Sequence, residues 1–177
     1  GPSGSGKTTL LRAVVGLQTL TAGHIFVASR DVTGLPTYRR GIGMVFQDNQ
    51  LFSHMSVSEN IAYSLKIKHL SKARREQRVG EMLRLIGLEG FGQRTTMKLS
   101  GGEAKRVAVA RSLVAEPSVL LLDEPLTGLD SELHQRLLAD LAVLLRRRGT
   151  TVVHVTHDHN EARLLSDRIV DIRTLSH

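Results

Sequence analysis

The segment Val119-Leu120-Leu121-Leu122 is apolar at every position, without the alternation of a strand that faces water on one side. Such a run predicts a parallel strand covered on both faces. Thr151-Val152-Val153-His154-Val155 is β-branched and predicts a second strand. Ile42 to Phe46 reads as a third, Gly23 to Ala28 as a fourth and Arg168 to Ile172 as a short final one. Between them, apolar residues recur three and four positions apart, which predicts helices over Lys7–Leu17, Ser58–Leu65, Lys72–Ile86, Glu103–Ala115 and Glu132–Arg147. Strands alternating with helices give an α/β fold with a mainly parallel sheet. Residues 57–98 carry helical patterns and no strand, so they read as an all-helical insert between residues 1–56 and 99–177 of the α/β core.

Composition narrows this picture. Hydrophobic residues make up 41% of the 177 positions and aromatics only 3%, so the core must be built from Leu, Val and Ile. The absence of Cys excludes disulfides and thiolate metal sites and makes a reducing cytoplasm the default compartment. No apolar run approaches the roughly 20 residues of a membrane span, and no secretory signal is visible. The chain opens inside a motif without an initiator Met, which reads as a fragment of a longer protein. Net charge is +7, with cations bunched from Lys66 to Arg78 and at Arg146-Arg147-Arg148. These clusters suit solvated helix faces, and the second suits a helix C-terminus. Nucleic acid or an anionic membrane surface is the other reading of such a balance.

Chemistry enters at the first residue. Gly1-Pro2-Ser3-Gly4-Ser5-Gly6-Lys7-Thr8 fits G-x-x-x-x-G-K-[ST]. Glycines let the backbone curl so that N–H groups point at phosphate oxygens, the Lys adds a point charge, and the Thr hydroxyl is a ligand for Mg²⁺. The helix that starts near Lys7 turns its positive dipole end to the same anion. A flexible glycine turn before a helix is the plainer alternative. At the end of the apolar strand, Asp123 and Glu124 place carboxylates where ligands bind in open α/β sheets. Asp123 suits the metal shell, and Glu124 suits the polarisation of a water for in-line attack on a γ-phosphorus.

Leu99-Ser100-Gly101-Gly102-Glu103 opens a further helix, and Ser100 with Glu103 makes the S-x-x-E pattern of a capping box. A cap has no need of the two glycines. They open a helix N-terminus to close approach by a phosphate. Because the chain already has one phosphate loop, a second anion seat points to a neighbouring subunit's nucleotide.

The order GPSGSGKT, Val45-Phe46-Gln47, LSGGE, LLLDEP, GLD and VTHD resembles the nucleotide-binding subunit of ABC transporters over nearly the whole chain. The stretches DVTGLPTYRRGIGMVFQ and LFSHMSVSENIAYSL are similar to bacterial import ATPases of the thiamine, iron, polyamine, molybdate and sugar branch. The resemblance implies a RecA-like P-loop NTPase core with an inserted helical subdomain. It implies Mg²⁺-dependent ATP hydrolysis that drives solute import at the cytoplasmic face of the inner membrane. Gly1, Pro2, Ser3, Gly4, Ser5, Gly6, Lys7, Thr8 and Thr9 would then hold the triphosphate. Gln47 would contact the metal and the attacking water, Asp123 would serve the metal with Thr8, and Glu124 would act on the water. His157 would orient the attack, Asp130 would lie in the loop that crosses a dimer interface, and Ser100, Gly101 and Gly102 would close over ATP on the partner. The implied partners are a second copy or a paralogous ATPase in a head-to-tail dimer, membrane permease subunits and a solute-binding protein. No nucleic-acid partner is expected.

The chain departs from the family pattern in places. Ser53 stands where related importers usually have Pro, and Glu103 stands where Gln is commoner. The adenine-stacking aromatic, which the family carries upstream of the phosphate loop, has no counterpart here. His154, His157 and His159 could suggest a metal site, but there is no thiolate, Asp158 is expected to be the only carboxylate near them, and a role for His157 beside the nucleotide explains the cluster better. His154 is expected to face the sheet surface. Two other classes compete with a transport motor. A soluble ABC ATPase on nucleic acid or ribosomes would use the basic patches, and a P-loop kinase would have no use for LSGGE.

Overall fold

The computed structural model describes residues 4–175. Helix α1 (Lys7–Val15) follows the glycine loop directly. A small hairpin comes next, with β1 (Phe26–Val27) antiparallel to β2 (Arg30–Asp31). The main sheet has three parallel strands in the order β3 (Ile42–Val45), β4 (Val119–Asp123) and β5 (Thr151–Val155). Helices α2 (Val57–Ile67), α3 (Lys72–Leu85) and α4 (Gly101–Leu113) separate β3 from β4 in sequence. Helix α5 (Ser131–Arg148) connects β4 to β5, and α6 (His159–Leu165) follows β5.

The apolar run 119–122 behaves as its pattern requires. Leu120 and Leu122 join one core with residues of α2, α3, α4 and α5, whereas Leu121 packs on the opposite face with Leu11 and Val15 of α1 and Met44 of β3. Because side chains alternate along a strand, one strand fills two hydrophobic layers. That burial pins α1, and therefore the loop before it, above the end of β4. The core on the α4 side is continuous from Val57 and Ile61 of α2 to Leu141 of α5.

Two expected strands need correction. Gly23 to Ala28 does not extend the parallel sheet. Only Phe26–Val27 pairs, with its own hairpin partner, through a turn at Ala28 (φ 48°) and Ser29 (φ 65°). Residues 168–171 form no strand, and Ile172–Leu175 is a 3₁₀ turn. Ile169 and Val170 stay exposed, so the apolar pair finds no ladder to join. A strand exists by pairing its N–H and C=O groups, not by composition alone. Helix α6, not expected from periodicity, is short and starts at Asp158, whose carboxylate accepts from the Asn160 and Glu161 amides.

Candidate functional site

The phosphate loop takes its shape from glycine. Gly4 (φ 78°) and Gly6 (φ 86°) both hold left-handed backbone, which side-chain-bearing residues adopt only with strain. Gly6 is the N-cap of α1 and offers no side chain to its amides. A first turn without a side-chain cap is the seat that helix N-termini offer to an anion. Gly1, Pro2 and Ser3, assigned to the same loop from sequence, lie outside the described residues.

At the other end of α1, Arg40 is buried and donates to the carbonyls of Ala13 and Val14, and also to those of Thr33 and Leu35. A cation on the last carbonyls suits the helix dipole. A Cβ on Gly16 would stand 2.6 Å from the Arg40 guanidinium, so this close fit needs glycine. Nothing in the sequence pattern had marked Arg40.

The loop and the strand-end acids come together. Thr8 Oγ1 donates to Asp123 Oδ1 at 3.1 Å, across 115 residues of sequence. Asp123 is 2% exposed. Lys7 Nζ lies 3.2 Å from Ser5 Oγ, folded back over the loop. Thr9 is exposed on the first turn of α1. The hydroxyl and carboxylate oxygens of Thr8 and Asp123 are hard donors, as Mg²⁺ prefers. Among the described residues no group of three or more His, Cys, Asp or Glu could hold a metal. The donor set fits an ion that completes its shell with water and phosphate oxygens, as Mg²⁺ does.

Glu124 adopts left-handed backbone (φ 48°), and its N–H donates to the Val155 carbonyl at 3.0 Å. For a residue with a side chain that conformation costs on the order of 1 kcal/mol, and strain of this kind clusters at working sites. The carboxylate turns toward β5, where His157 Nδ1 donates to Glu124 Oε1 at 3.2 Å. A carboxylate only accepts, so Nδ1 carries the proton of this bond. His157 is 65% exposed, with Glu124 better covered. Gln47 is exposed two residues past Val45, just as Glu124 lies two past Leu122, the strand partner of Val45. The loop after Gln47 is tied down by Arg111, which donates to the Gln50 carbonyl at 2.8 Å, and by the buried Asn60, which bonds both backbone groups of Phe52.

The remaining sequence-assigned residues stand apart from this cluster. Ser100 Oγ accepts from Glu103 N–H at 3.2 Å, and Glu103 accepts from Ser100 N–H at 2.7 Å, so the capping box is formed. The Ser100 amide holds the Glu103 carboxyl below its ordinary pKa. A Cβ on Gly101 would meet nothing within 4 Å, so internal packing does not explain glycine there. Asp130 caps α5 through a bond from Leu133 N–H at 2.9 Å. Replacing Glu103 with Gln preserves the reciprocal cap, so the expected change in melting free energy is under about 0.5 kcal/mol, measured by denaturant titration.

Sequence reasoning missed Glu161. It is 3% exposed and lies between two histidines. Oε1 is 2.9 Å from His134 Nε2, and Oε2 is 3.3 Å from His154 Nε2, at ion-pair rather than hydrogen-bond geometry. Asp158 is therefore not the only carboxylate near these histidines, and His154 is buried against α6. An i-to-i+7 spacing across a loop gives no periodic signal, which is why the pair was invisible. Burial works to raise the Glu161 pKa, but His154, Thr156 and His134 together outweigh it and hold the carboxyl below its usual 4.5. A depressed folded pKa gives stability that is full above the unfolded value and lost as pH falls through the folded one. Glu161→Gln is accordingly expected to destabilise by about 1–3 kcal/mol at pH 7, a gap that narrows only below about pH 4.5 in thermal melts run across pH.

A cleft of about 770 Å³ borders this cluster, running from Lys7 and Leu10 along β5 to Arg168 and Ile172. Its lining comes mostly from β5 and the residues that follow it, so it adjoins the phosphate seat rather than forming it. Comparison with known proteins decides the family: a profile described as "ABC transporter" matches residues 1–127. The chain belongs to the ABC transporter family. Among ABC proteins it is 50% identical over 173 residues to an Fe(3+) ions import ATP-binding protein FbpC from Streptomyces coelicolor, covering 98% of this chain and 50% of that protein. A second FbpC, from Agrobacterium fabrum, is 51% identical over 170 residues, covering 96% of this chain and 48% of that protein. The chain thus spans about half the length of the curated relatives it matches. A solved dimeric ABC cassette, MJ0796 in a post-hydrolysis state bound to ADP and Pi, superposes with a TM-score of 0.86 at 36% identity, over 93% of this chain and 75% of that one. The fold is the α/β P-loop cassette that the motif order implies.

Proposed function

We propose that the protein carrying this chain hydrolyses Mg-ATP as the energy-coupling subunit of an ABC import system. The observation that carries this reading is the meeting of Thr8 with Asp123, and of Glu124 with His157, at adjacent strand ends. The glycine loop from Gly4 to Lys7 cradles the triphosphate, and Lys7 neutralises its outer charge. Thr8 and Asp123 would hold Mg²⁺, which would supply charge neutralisation to the triphosphate. Gln47 and Glu124 position the attacking water. Glu124 removes its proton as the oxygen bonds to the γ-phosphorus and ADP leaves. His157 holds the Glu124 carboxylate and presents Nε2 to the phosphoryl side.

Residues 57–98 form the helical subdomain in this reading, and 1–56 with 99–177 form the nucleotide core. Ser100, Gly101 and Gly102 serve the ATP of a partner, with Asp130 in the loop between the copies. The open space at Gly101 supports that role, as does the dimeric state named for the MJ0796 cassette. The other partners are permease subunits and a solute-binding protein, with the protein peripheral at the cytoplasmic face of the inner membrane. Among the described residues no helix is long and apolar enough to cross a membrane. The names of the FbpC relatives favour Fe(3+) as the cargo.

The test is phosphate release by the full-length protein with no acceptor other than water. Mg-dependent release is expected, stimulated by reconstitution with permease and a ferric-loaded binding protein. Release that needs another acceptor would assign a kinase, and copurifying RNA in place of permease would assign the soluble ATPase class.

A further inference from the structure

Lys105 is a buried cation that the chemistry above leaves unused. It lies three residues past Gly102 on α4 and is 8% exposed. Its Nζ donates to the Thr127 carbonyl at 3.1 Å. Burying an ammonium is unfavourable unless it is bonded or surrounded by opposite charge. Burial pulls the Lys105 pKa below that of an ordinary lysine, while Glu124, Glu161, Asp48 and Asp123 act to raise it. The ammonium therefore stands in the field of the strand-end acids.

Thr127 lies midway along the loop that joins Glu124 to Asp130. Its own N–H reaches the Glu124 carbonyl at 3.5 Å. The loop and α4 approach again at Gly102, where a Cβ would stand 3.1 Å from Leu129 Cδ2. Within one chain, the signature helix, α4, which opens with the Leu99–Glu103 signature segment, is therefore joined to the Glu124–Asp130 loop by a charged hydrogen bond and a close apolar fit. In the proposed dimer these two elements serve different nucleotides. The signature segment closes on the partner's ATP, and Glu124 acts on the chain's own.

We infer that Lys105 is a positioning residue that couples the two nucleotide compartments, its ammonium carrying any shift of the signature helix to the loop that holds Glu124. This rests on the dimer reading above. Movement of α4 toward a partner's phosphate carries Nζ with it, and the Thr127 carbonyl follows because that bond is the ammonium's way of being satisfied in a buried place. An apolar side chain of the same length would fill the space and transmit nothing directional.

The experiment compares full-length wild type with Lys105→Met, which keeps length without a donor, and Lys105→Gln, which keeps a donor. Hydrolysis is measured against ATP concentration, together with affinity for a fluorescent ATP analogue at protein concentrations too low for dimerisation, and with thermal midpoints. The wild type is expected to be cooperative, with a Hill coefficient approaching the number of coupled sites. Lys105→Met is expected to bring that coefficient toward one and to reduce coupling about fivefold or more. Its single-site affinity stays within about twofold of wild type, because the residue touches no nucleotide of its own chain. Lys105→Gln restores most of the cooperativity. Unchanged cooperativity in Lys105→Met overturns the inference while leaving the ATPase reading intact. So does a non-cooperative wild type, or a loss of affinity and melting temperature that Lys105→Gln fails to rescue. A wild type that hydrolyses no ATP removes both readings together.

Discussion

Glu124→Gln is expected to slow ATP hydrolysis by about 10²–10⁴, the usual worth of a positioned general base, while ATP still binds. Glu124 is held at φ 48° with its N–H bonded to Val155, so the side chain leaves the strand in a fixed direction toward His157. A neutral amide in that place keeps the shape and the contact with Nδ1 through its oxygen. It loses only the ability to take the proton from water. The substrate-bound state should therefore accumulate, and with it the dimer that two ATPs hold together. Phosphate release under single-turnover conditions and size-exclusion chromatography with Mg-ATP measure the two halves of this expectation. Wild-type turnover in the variant would remove Glu124 from its role.

Lys7→Ala acts one step earlier and is expected to weaken nucleotide binding by about 10–100-fold, in line with about 1.5–3 kcal/mol for a hydrogen bond to a charged group. Lys7 opens α1, whose amides already favour an anion, so some affinity remains. Fold stability should hardly move, because the core beneath α1 is formed by Leu11 and Val15 and not by the lysine. Equilibrium binding of ATP, with a melt in the absence of nucleotide, separates loss of the site from loss of the fold. The contrast between the variants is diagnostic: Glu124→Gln binds without turning over, and Lys7→Ala binds weakly.

Much of the fold could be read from local pattern because the pattern was local in origin. An all-apolar 119–122 announces burial on both faces, and Leu121 and Leu122 do face opposite layers. The five predicted helices all form, with ends shifted by a few residues where caps rather than periodicity decide them. Ser56, for example, starts α2 through a reciprocal cap with Glu59. What the sequence did not disclose depends on partners distant in the chain. Residues 168–171 are apolar enough for a strand but have no ladder to join. The Ala28-Ser29 turn, which closes a hairpin without glycine or asparagine, carries no turn signature.

The site divides along the same line. Asp123 and Glu124 could be placed at a strand end from pattern alone, but the 3.1 Å bond between Thr8 and Asp123 is a product of topology. Gln47, His157 and Asp130 were reachable only through family resemblance, since a lone polar residue after a short strand has no physical signature. Arg40, Glu161 and Lys105 gave no sign at all. Each is a charge buried by tertiary packing, and a single sequence assigns such residues to the surface by default.

In the proposed assembly each chain supplies only part of a phosphate-binding compartment. An experimental structure of the full-length Glu124→Gln protein with Mg-ATP tests this. The Ser100–Gly102 amides of one copy are expected to reach the γ-phosphate held by Lys7 and Thr8 of the other at about 3 Å. An ATP enclosed by one chain alone, with the signature segments of both copies facing solvent, would contradict it.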